Sequence, residues 1–501
     1  MPYQSFTSTL DQAIDPLVVA LDVGSTACRG AVYDAAGRPV VKRAKVPHEF
    51  TTDVDGTSTI DPDQVVEELS TILDQLTAQG IAGRVGGVAI DTFASSLVGV
   101  DESGAAITPC FTYADARCAA EVEQLRATLD EAEVQQRTGT RLHTSYLTPR
   151  FMWLRRTQPE VFARAARWMS LGEYVQWRWL GTTAAGTSTA AWTGMLDRRA
   201  RTWDAQMLEL AGVRVDQMSP IHNPDQTLSP VTDLVANRWP ALAGARWFAP
   251  VPDGISSNIG TGAFDSTTIV AGMSTSGAMR VLVRDVPETI PSGLWCYRID
   301  EERSLLGGAL NDVGRALTWL TETLRLEADA TVDVHPAVER ALLADPQPGT
   351  PLVLPFFTGE RSTGWAASAQ AVFTGVTAAT TAAELARGTA EGVALCYRRV
   401  AEQLKEVAGD VTAIRASGRV PAQEPALLGI LADALGAPVL PVTIKRSTLH
   451  GVALLALEVL APDVERAEVD QGPWSVPDPA HRAYYDERAA RFAALYDAVI
   501  R

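Results

Sequence analysis

Three short segments carry side chains that could do chemistry. In LVVALDVGSTACRGAVYD, Asp22 ends an apolar run and is followed at once by a turn containing Gly24, Ser25 and Thr26. A carboxylate beside hydroxyls and exposed backbone N–H groups suits a polyphosphate. In IVAGMSTSGAMRVLVRD, Thr275, Ser276 and Gly277 repeat the small polar tip, with Met273 where the first copy has Asp22. In PVPDGISSN, short polar and glycine neighbours leave the Asp253 carboxylate accessible. Taken alone, an Asp-Gly pair is most often just a turn.

These residues need elements to position them. Leu17–Leu21 has the length and valine content of a buried strand, and Arg29–Tyr33 alternates into a second before the turn at Ala36-Gly37, so the segment reads as a polar-tipped hairpin. Placed 251 residues downstream, it matches the second segment at Val19/Val270, Ala20/Ala271, Ser25/Ser276, Ala27/Ala278, Arg29/Arg280, Val32/Val283 and Asp34/Asp285. A repeat at half the chain length points to a duplicated domain, with two tips able to hold a polyphosphate from both sides of a cleft. Asp61-Pro62 opens a helix whose apolar stripe runs Val65, Val66, Leu69, Ile72, Leu73 and Leu76 and which Gly80 stops. The strand VGGVAI follows and ends at Asp91; further on, GGALNDVGRALTWL reads as a glycine turn entering a helix, and AAELARGTAEGVALCYRRVAEQL as a long amphipathic helix. The boundary between two α/β domains falls near residue 255, giving 1–255 and 256–501.

Composition narrows the function classes. A chain of 501 residues exceeds what one core usually fills. Its net charge of -17 argues against nucleic-acid or anionic-membrane partners, both of which are negative surfaces. The N-terminal segment lacks the basic start and apolar core of a signal peptide, and no apolar run reaches the length of a membrane span. Five scattered cysteines without a C-x-x-C pair fit a reducing cytoplasm. P-loop, α/β-hydrolase, zinc-protease and dinucleotide motifs are absent.

The order DVGSTACRGAVYD, SSLVGVDESGAAITPCFTYADAR, TSTAAWTGMLD with Trp203-Asp204, PDGISSNIGTGAF, STSGAMR, GGALNDVG, PFFTGERSTGW and ASGRVPAQEPALLGILADALGAPV resembles the FGGY carbohydrate kinases over residues 17 to 460. The resemblance implies two duplicated actin/hexokinase-like, ribonuclease H-like lobes, each a mixed five-stranded sheet flanked by helices, with ATP and sugar in the cleft. It makes Asp253 the base that takes the acceptor proton, and puts Asp22 near the Mg²⁺ bound to ATP. Gly24, Ser25 and Thr26 become the first phosphate turn, and Thr275, Ser276 and Gly277 the second. Gly418 and Arg419 fall in the adenosine segment, Ala94 and Ser95 at the substrate-facing pair, and Asp115 and Arg117 on the family's Asp-x-Arg. That last pair reads equally as a substrate contact and as a buried structural ion pair.

Four positions depart from the family pattern: Ser95 where gluconate kinases commonly have histidine, Ser274 and Arg419 where glycines are usual, and Arg446 in place of a glutamate. The reading is an ATP- and Mg²⁺-dependent cytoplasmic kinase of a small sugar, polyol or sugar acid, with gluconate the best single substrate, and a homodimer is compatible with it. The departures also suit a lobed sensor that binds sugar or nucleotide without turnover, although such a protein has no need of both Asp22 and Asp253. An actin- or chaperone-type ATPase is the third reading, marked by hydrolysis that responds to unfolded peptide instead of sugars.

Overall fold

The computed structural model describes residues 6–323, 336–444 and 446–500. The chain divides into two compact units, one of Met1–Gly262, Cys296–Leu305 and Lys445–Val469, the other of Ala263–Trp295, Leu306–Ile444 and Asp470–Arg501. Among the described residues no helix is long and apolar enough to cross a membrane.

In the first unit β1 (Leu17–Val23) and β2 (Ala27–Tyr33) form the expected antiparallel hairpin, and β3 (Ala44–Pro47) extends it on the β2 side. On the other side β4 (Val85–Thr92) runs parallel to β1, and the short β5 (Arg246–Trp247) and β6 (Val251–Pro252) both run parallel to β4. Every β1 residue is buried, as a central strand covered on both faces requires. One cover is α1 (Pro62–Thr77), capped by the Asp61 side chain, which accepts the Asp63 N–H at 2.9 Å. Its stripe Val65, Val66, Leu69, Ile72, Leu73 and Leu76 is buried as the spacing predicts, each full aliphatic burial contributing roughly 1.5–3 kcal/mol. The helix lies on Gly30, where a Cβ would come within 2.4 Å of Ile72 Cγ2. After β6 the chain turns directly into α2 (Asp253–Gly260).

The second unit repeats the plan. The hairpin of β7 (Thr268–Met273) and β8 (Gly277–Arg284) has β11 (Ala413–Ser417) parallel to its first strand, as β4 is to β1. With β9 (Trp295–Arg298), β10 (Arg303–Leu310) and β12 (Val439–Pro441) the sheet order is β9-β10-β8-β7-β11-β12. Each sheet has six strands, one more than the resemblance implies.

The two hairpins are not paired in equivalent register. Val19 lies opposite Val32, but Val270 lies opposite Arg280 instead of Val283. The offset of 251 therefore aligns the sequences without aligning the pairing, because the second turn is tighter.

A second difference concerns GGALNDVG. Gly307 and Gly308 lie inside β10, and the helix α3 (Gly314–Thr323) begins six residues after Gly308. The glycines serve close packing: a Cβ on Gly307 would meet the Trp295 ring at 2.3 Å, and one on Gly308 the Ser362 Oγ at 2.8 Å. The long helix α4 (Ala382–Ala408) forms as expected, started by a Thr381/Glu384 capping box.

Helix α5 (Ser447–Leu460) belongs to the first unit and crosses α2 with backbones almost touching. A Cβ on Gly451 would lie 1.7 Å from the Ser256 carbonyl oxygen, and one on Gly260 1.9 Å from that of Ser447. Beside this crossing His450 is 1% exposed, and its Nδ1–H donates to the Gly260 carbonyl at 2.9 Å. Burial pushes its pKa from 6.5 down to about 4, against the opposing effect of that hydrogen bond. The unfolded chain then binds a proton that the folded chain refuses, so this contribution is whole above pH 6.5 and is lost as pH falls toward 4. Up to roughly 3 kcal/mol is at stake. Denaturant unfolding of wild type and His450→Gln at several pH values checks this: the difference between them should shrink on acidification, and a constant difference would contradict it.

Candidate active site

The strands of the first unit bring three carboxylates toward one edge of the sheet. Asp22, near the end of β1, pairs across the hairpin with Arg29 and across the parallel ladder with Asp91 at the end of β4. Val251 of β6 pairs with Asp91 in turn, and Asp253 follows two residues later at the head of α2. Asp22, Asp91 and Asp253 thus leave adjacent parallel strands at their carboxyl ends, the usual place for a ligand in an α/β sheet.

The first turn is tied at both sides. Arg29 donates through Nη1 to Asp22 Oδ2 at 2.9 Å and through Nη2 to Thr26 Oγ1 at 3.3 Å. Gly24 leaves room for this guanidinium, since a Cβ there would stand 2.7 Å from Arg29 Nη1. Its carbonyl accepts from His48 Nε2 at 2.8 Å, while His48 Nδ1 meets Glu68 Oε2 at 2.7 Å. Ser25 and Thr26 are exposed at the tip. Cys28 completes a close group with His48 and Glu68, but both ring nitrogens already serve this scaffold and burial pushes the thiol well above its usual range.

Asp91 is the residue that sequence reasoning passed over. It is wholly buried, with the Asp22 carboxylate as a hydrogen-bonding neighbour. Burial drives its pKa far above the ordinary carboxylate range; Asp22 and Asp253 push the same way and Arg29 opposes them. Its signal was present as an aspartate ending a strand of otherwise apolar residues, but the neighbour that makes it chemical is set by register.

A small pocket adjoins Asp253 through Pro252. It is lined by Ala94 and Phe93 and by the hydroxyl residues Thr92, Ser95, Ser96, Ser170, Thr189 and Thr193. Ser95 sits at φ 54°, a left-handed conformation held from both sides. Its Oγ donates to the Trp192 carbonyl at 2.7 Å, and its own carbonyl accepts from Arg150 Nη1 at 2.8 Å. Arg150 is fully buried and also reaches the carbonyls of Asp115 and Thr144, so one guanidinium ties three loop segments together. Asp115 is buried and ion-paired with Arg117 at 2.7 Å, accepts the Ser58 N–H at 3.1 Å, and holds Arg117 over the Trp153 ring.

In the second unit Thr275 and Ser276 form an exposed tip between β7 and Gly277. The Ser274 N–H donates to the Ser276 carbonyl at 3.0 Å, and the carbonyls of Ser274 and Thr275 accept from the N–H groups of Gly314 and Arg315 that open α3. Gly418, at φ 107°, passes so near that a Cβ would lie 2.4 Å from the Met273 carbonyl oxygen. Arg419 is exposed and its Nη2 reaches Thr275 Oγ1 at 3.5 Å. The structure thus gathers Ser274, Thr275, Ser276, Gly277, Gly418 and Arg419 in one place, while Arg446 stands just before α5 in the first unit at φ 70°, without a capping side-chain hydrogen bond.

Residues 17–260 match the N-terminal domain of the FGGY family of carbohydrate kinases, and residues 275–458 match its C-terminal domain. The chain belongs to the FGGY family. FGGY carbohydrate kinases are phosphotransferases. Among its FGGY relatives, the gluconokinase of Bacillus subtilis (strain 168) is 25% identical over 416 residues, covering 80% of this chain and 79% of the relative. The crystal structure of gluconate kinase from Lactobacillus acidophilus superposes with a TM-score of 0.89 at 24% identity, covering 97% of this chain and 98% of that one. That of xylulose kinase from Rhodospirillum rubrum gives 0.89 at 25% identity, over 96% and 98%. The FGGY fold accounts for the two mixed sheets and their repeated plan. Asp22, Asp91 and Asp253 all fall in the N-terminal FGGY domain, and Thr275–Gly277, Gly418 and Arg419 in the C-terminal one.

Proposed function

We propose that this FGGY protein transfers the γ-phosphoryl group of ATP to a hydroxyl of a small sugar, polyol or sugar acid, with Asp253 as the base. The observation that carries the reading is the position of Asp253, at the carboxyl end of β6 and next to a pocket rich in hydroxyl residues. Phosphoryl transfer asks little covalent work of a protein; it asks for alignment, charge compensation and a base at the attacking hydroxyl. Asp253 takes that proton as the oxygen attacks phosphorus. Asp22, held by Arg29, would hold the Mg²⁺ that accompanies ATP, and its hard carboxylate oxygens fit such an ion. When bound, Mg²⁺ supplies charge neutralisation at the phosphates. The Gly24–Thr26 turn takes the γ-phosphate; Thr275, Ser276 and Gly277 take the other phosphates with backbone N–H groups and hydroxyls, and Gly418 and Arg419 border the adenosine. Ala94 and Ser95 shape the acceptor pocket, and the Asp115–Arg117 pair, linked to Ser95 through Arg150, fixes its rim.

Gluconate is the first acceptor to test, on the strength of the gluconokinase relatives. A second reading, a neutral polyol or ketose, is favoured by one observation: among the described residues no charged side chain lines the pocket at Ala94 and Ser95, whereas a buried carboxylate substrate needs a cation or several donors. Comparing kcat/KM for gluconate with that for uncharged polyols and ketoses separates them. If Arg117 does reach a gluconate carboxylate, Arg117→Ala should raise KM for gluconate about tenfold or more and leave a neutral acceptor unaffected.

A further inference from the structure

Arg150 stands out among the cations of the first unit. It sits on the helix Leu147–Thr157, is 0% exposed, and donates to three backbone carbonyls: Ser95 at 2.8 Å, Thr144 at 3.2 Å and Asp115 at 3.5 Å. Among the described residues no carboxylate forms an ion pair with it, and the Asp115 side chain is spent on Arg117. A guanidinium buried without a contacting counter-charge carries a desolvation penalty that a neutral side chain of similar volume would avoid. What this group supplies in exchange is a rigid, planar set of donors able to hold diverging acceptors at fixed angles.

The Ser95 carbonyl is the one that matters for chemistry. Ser95 lines the small pocket that Pro252 joins to Asp253, and its backbone is left-handed at φ 54°, a conformation that a side-chain-bearing residue keeps only where its surroundings enforce it. Two bonds enforce it here: Arg150 holds the carbonyl, and the Trp192 carbonyl accepts the Oγ proton at 2.7 Å. The Trp192 ring also lies against Gly254, the residue after Asp253, where a Cβ would stand 2.9 Å from Cζ2. Pocket wall and base thus share one scaffold.

We propose that Arg150 is a positioning residue for the acceptor: its hold on the Ser95 carbonyl fixes the left-handed backbone there, and so the shape of the pocket beside Asp253, without touching substrate. The inference rests on the reading of that pocket as the acceptor site and adds to it the group that sets its shape. Arg150 governs how tightly an acceptor is held and has no part in holding nucleotide.

Steady-state kinetics of Arg150→Met, on whichever of gluconate, xylulose and glycerol the wild type phosphorylates, tests this together with a crystal structure of the variant. Methionine keeps an unbranched apolar body and removes every donor. KM for the acceptor should rise about tenfold or more, while KM for ATP stays within about twofold of wild type. In the crystal structure Ser95 should have left the left-handed region. A merely structural Arg150 gives a different pattern: a lower melting temperature and a smaller active fraction, with both KM values unchanged. Should Arg150→Met not fold, Arg150→Lys carries the same measurements, because one ammonium keeps the charge but cannot reach three diverging carbonyls. An unchanged acceptor KM, an equal rise in KM for ATP, or Ser95 still at a left-handed φ overturns the role of Arg150 and leaves the kinase reading standing. A wild type that phosphorylates no acceptor overturns the kinase reading, and the acceptor role of Arg150 with it.

Discussion

Asp253→Asn is expected to lower kcat by about a thousandfold while acceptor and nucleotide still bind. The substitution keeps the size and shape of the side chain at the head of α2 and removes only its ability to accept a proton. Asp253 is half-buried, so the amide brings no large burial cost and the fold should be unaffected. An attacking hydroxyl without its base must lose its proton to water or to the phosphate, which is slower but not forbidden. Residual turnover should therefore remain, with KM values close to those of wild type. Equal loss of binding and turnover would instead make Asp253 a substrate-positioning group, and full activity would remove it from the mechanism.

The second large effect is structural. Gly451→Ala places a Cβ 1.7 Å from the Ser256 carbonyl oxygen, and Gly260 faces Ser447 in the same way, so neither helix can retreat by rotating a side chain. The α2–α5 crossing must open along its length, at a cost of about 3 kcal/mol. Because α2 starts at Asp253, the displacement reaches the proposed base, and kcat should fall along with the melting temperature. Gly429→Ala is the control: it lies on a helix with nothing within 4 Å of the added methyl, so helix propensity alone should leave stability unchanged or raised by about 0.5–1 kcal/mol. A Gly451→Ala protein as stable as the control would mean that the two helices do not depend on this contact.

Local signals carried much of the architecture. The β1–β2 hairpin, the Asp61 cap with its α1 stripe and the long α4 helix follow from periodicity and capping, because each depends on residues within a few positions of one another. The half-chain repeat was legible for the same reason, but its register was not. Pairing depends on the length of the turn, and the tip at Ser274–Ser276 closes more tightly than that at Gly24–Thr26. Gly307 and Gly308 looked like a turn because glycine signals either turning or close approach, and only the Trp295 ring and Ser362 packed against them tell which.

The site divides along the same line. Asp22 and the two turns lie in short stretches with distinctive residue types, whereas Asp253, an Asp-Gly pair when taken alone, stood out only through the family resemblance. Asp91 did not stand out, because an aspartate after an apolar run becomes notable only when a strand nearly 70 residues earlier sets another aspartate beside it. Arg150 was hidden for a related reason: in TPRFMWLRR it reads as one more helix-surface cation, whereas its three carbonyl partners come from separate loops.

The most direct test of the central claim is acceptor-dependent ADP formation by the intact protein with Mg-ATP, across gluconate, xylulose, glycerol and related polyols, with the product confirmed by mass. One acceptor should drive turnover well above the rate without it and gain the mass of a single phosphoryl group. Nucleotide or sugar binding without turnover on any acceptor would contradict the kinase mechanism and favour a sugar-binding sensor built on the same fold.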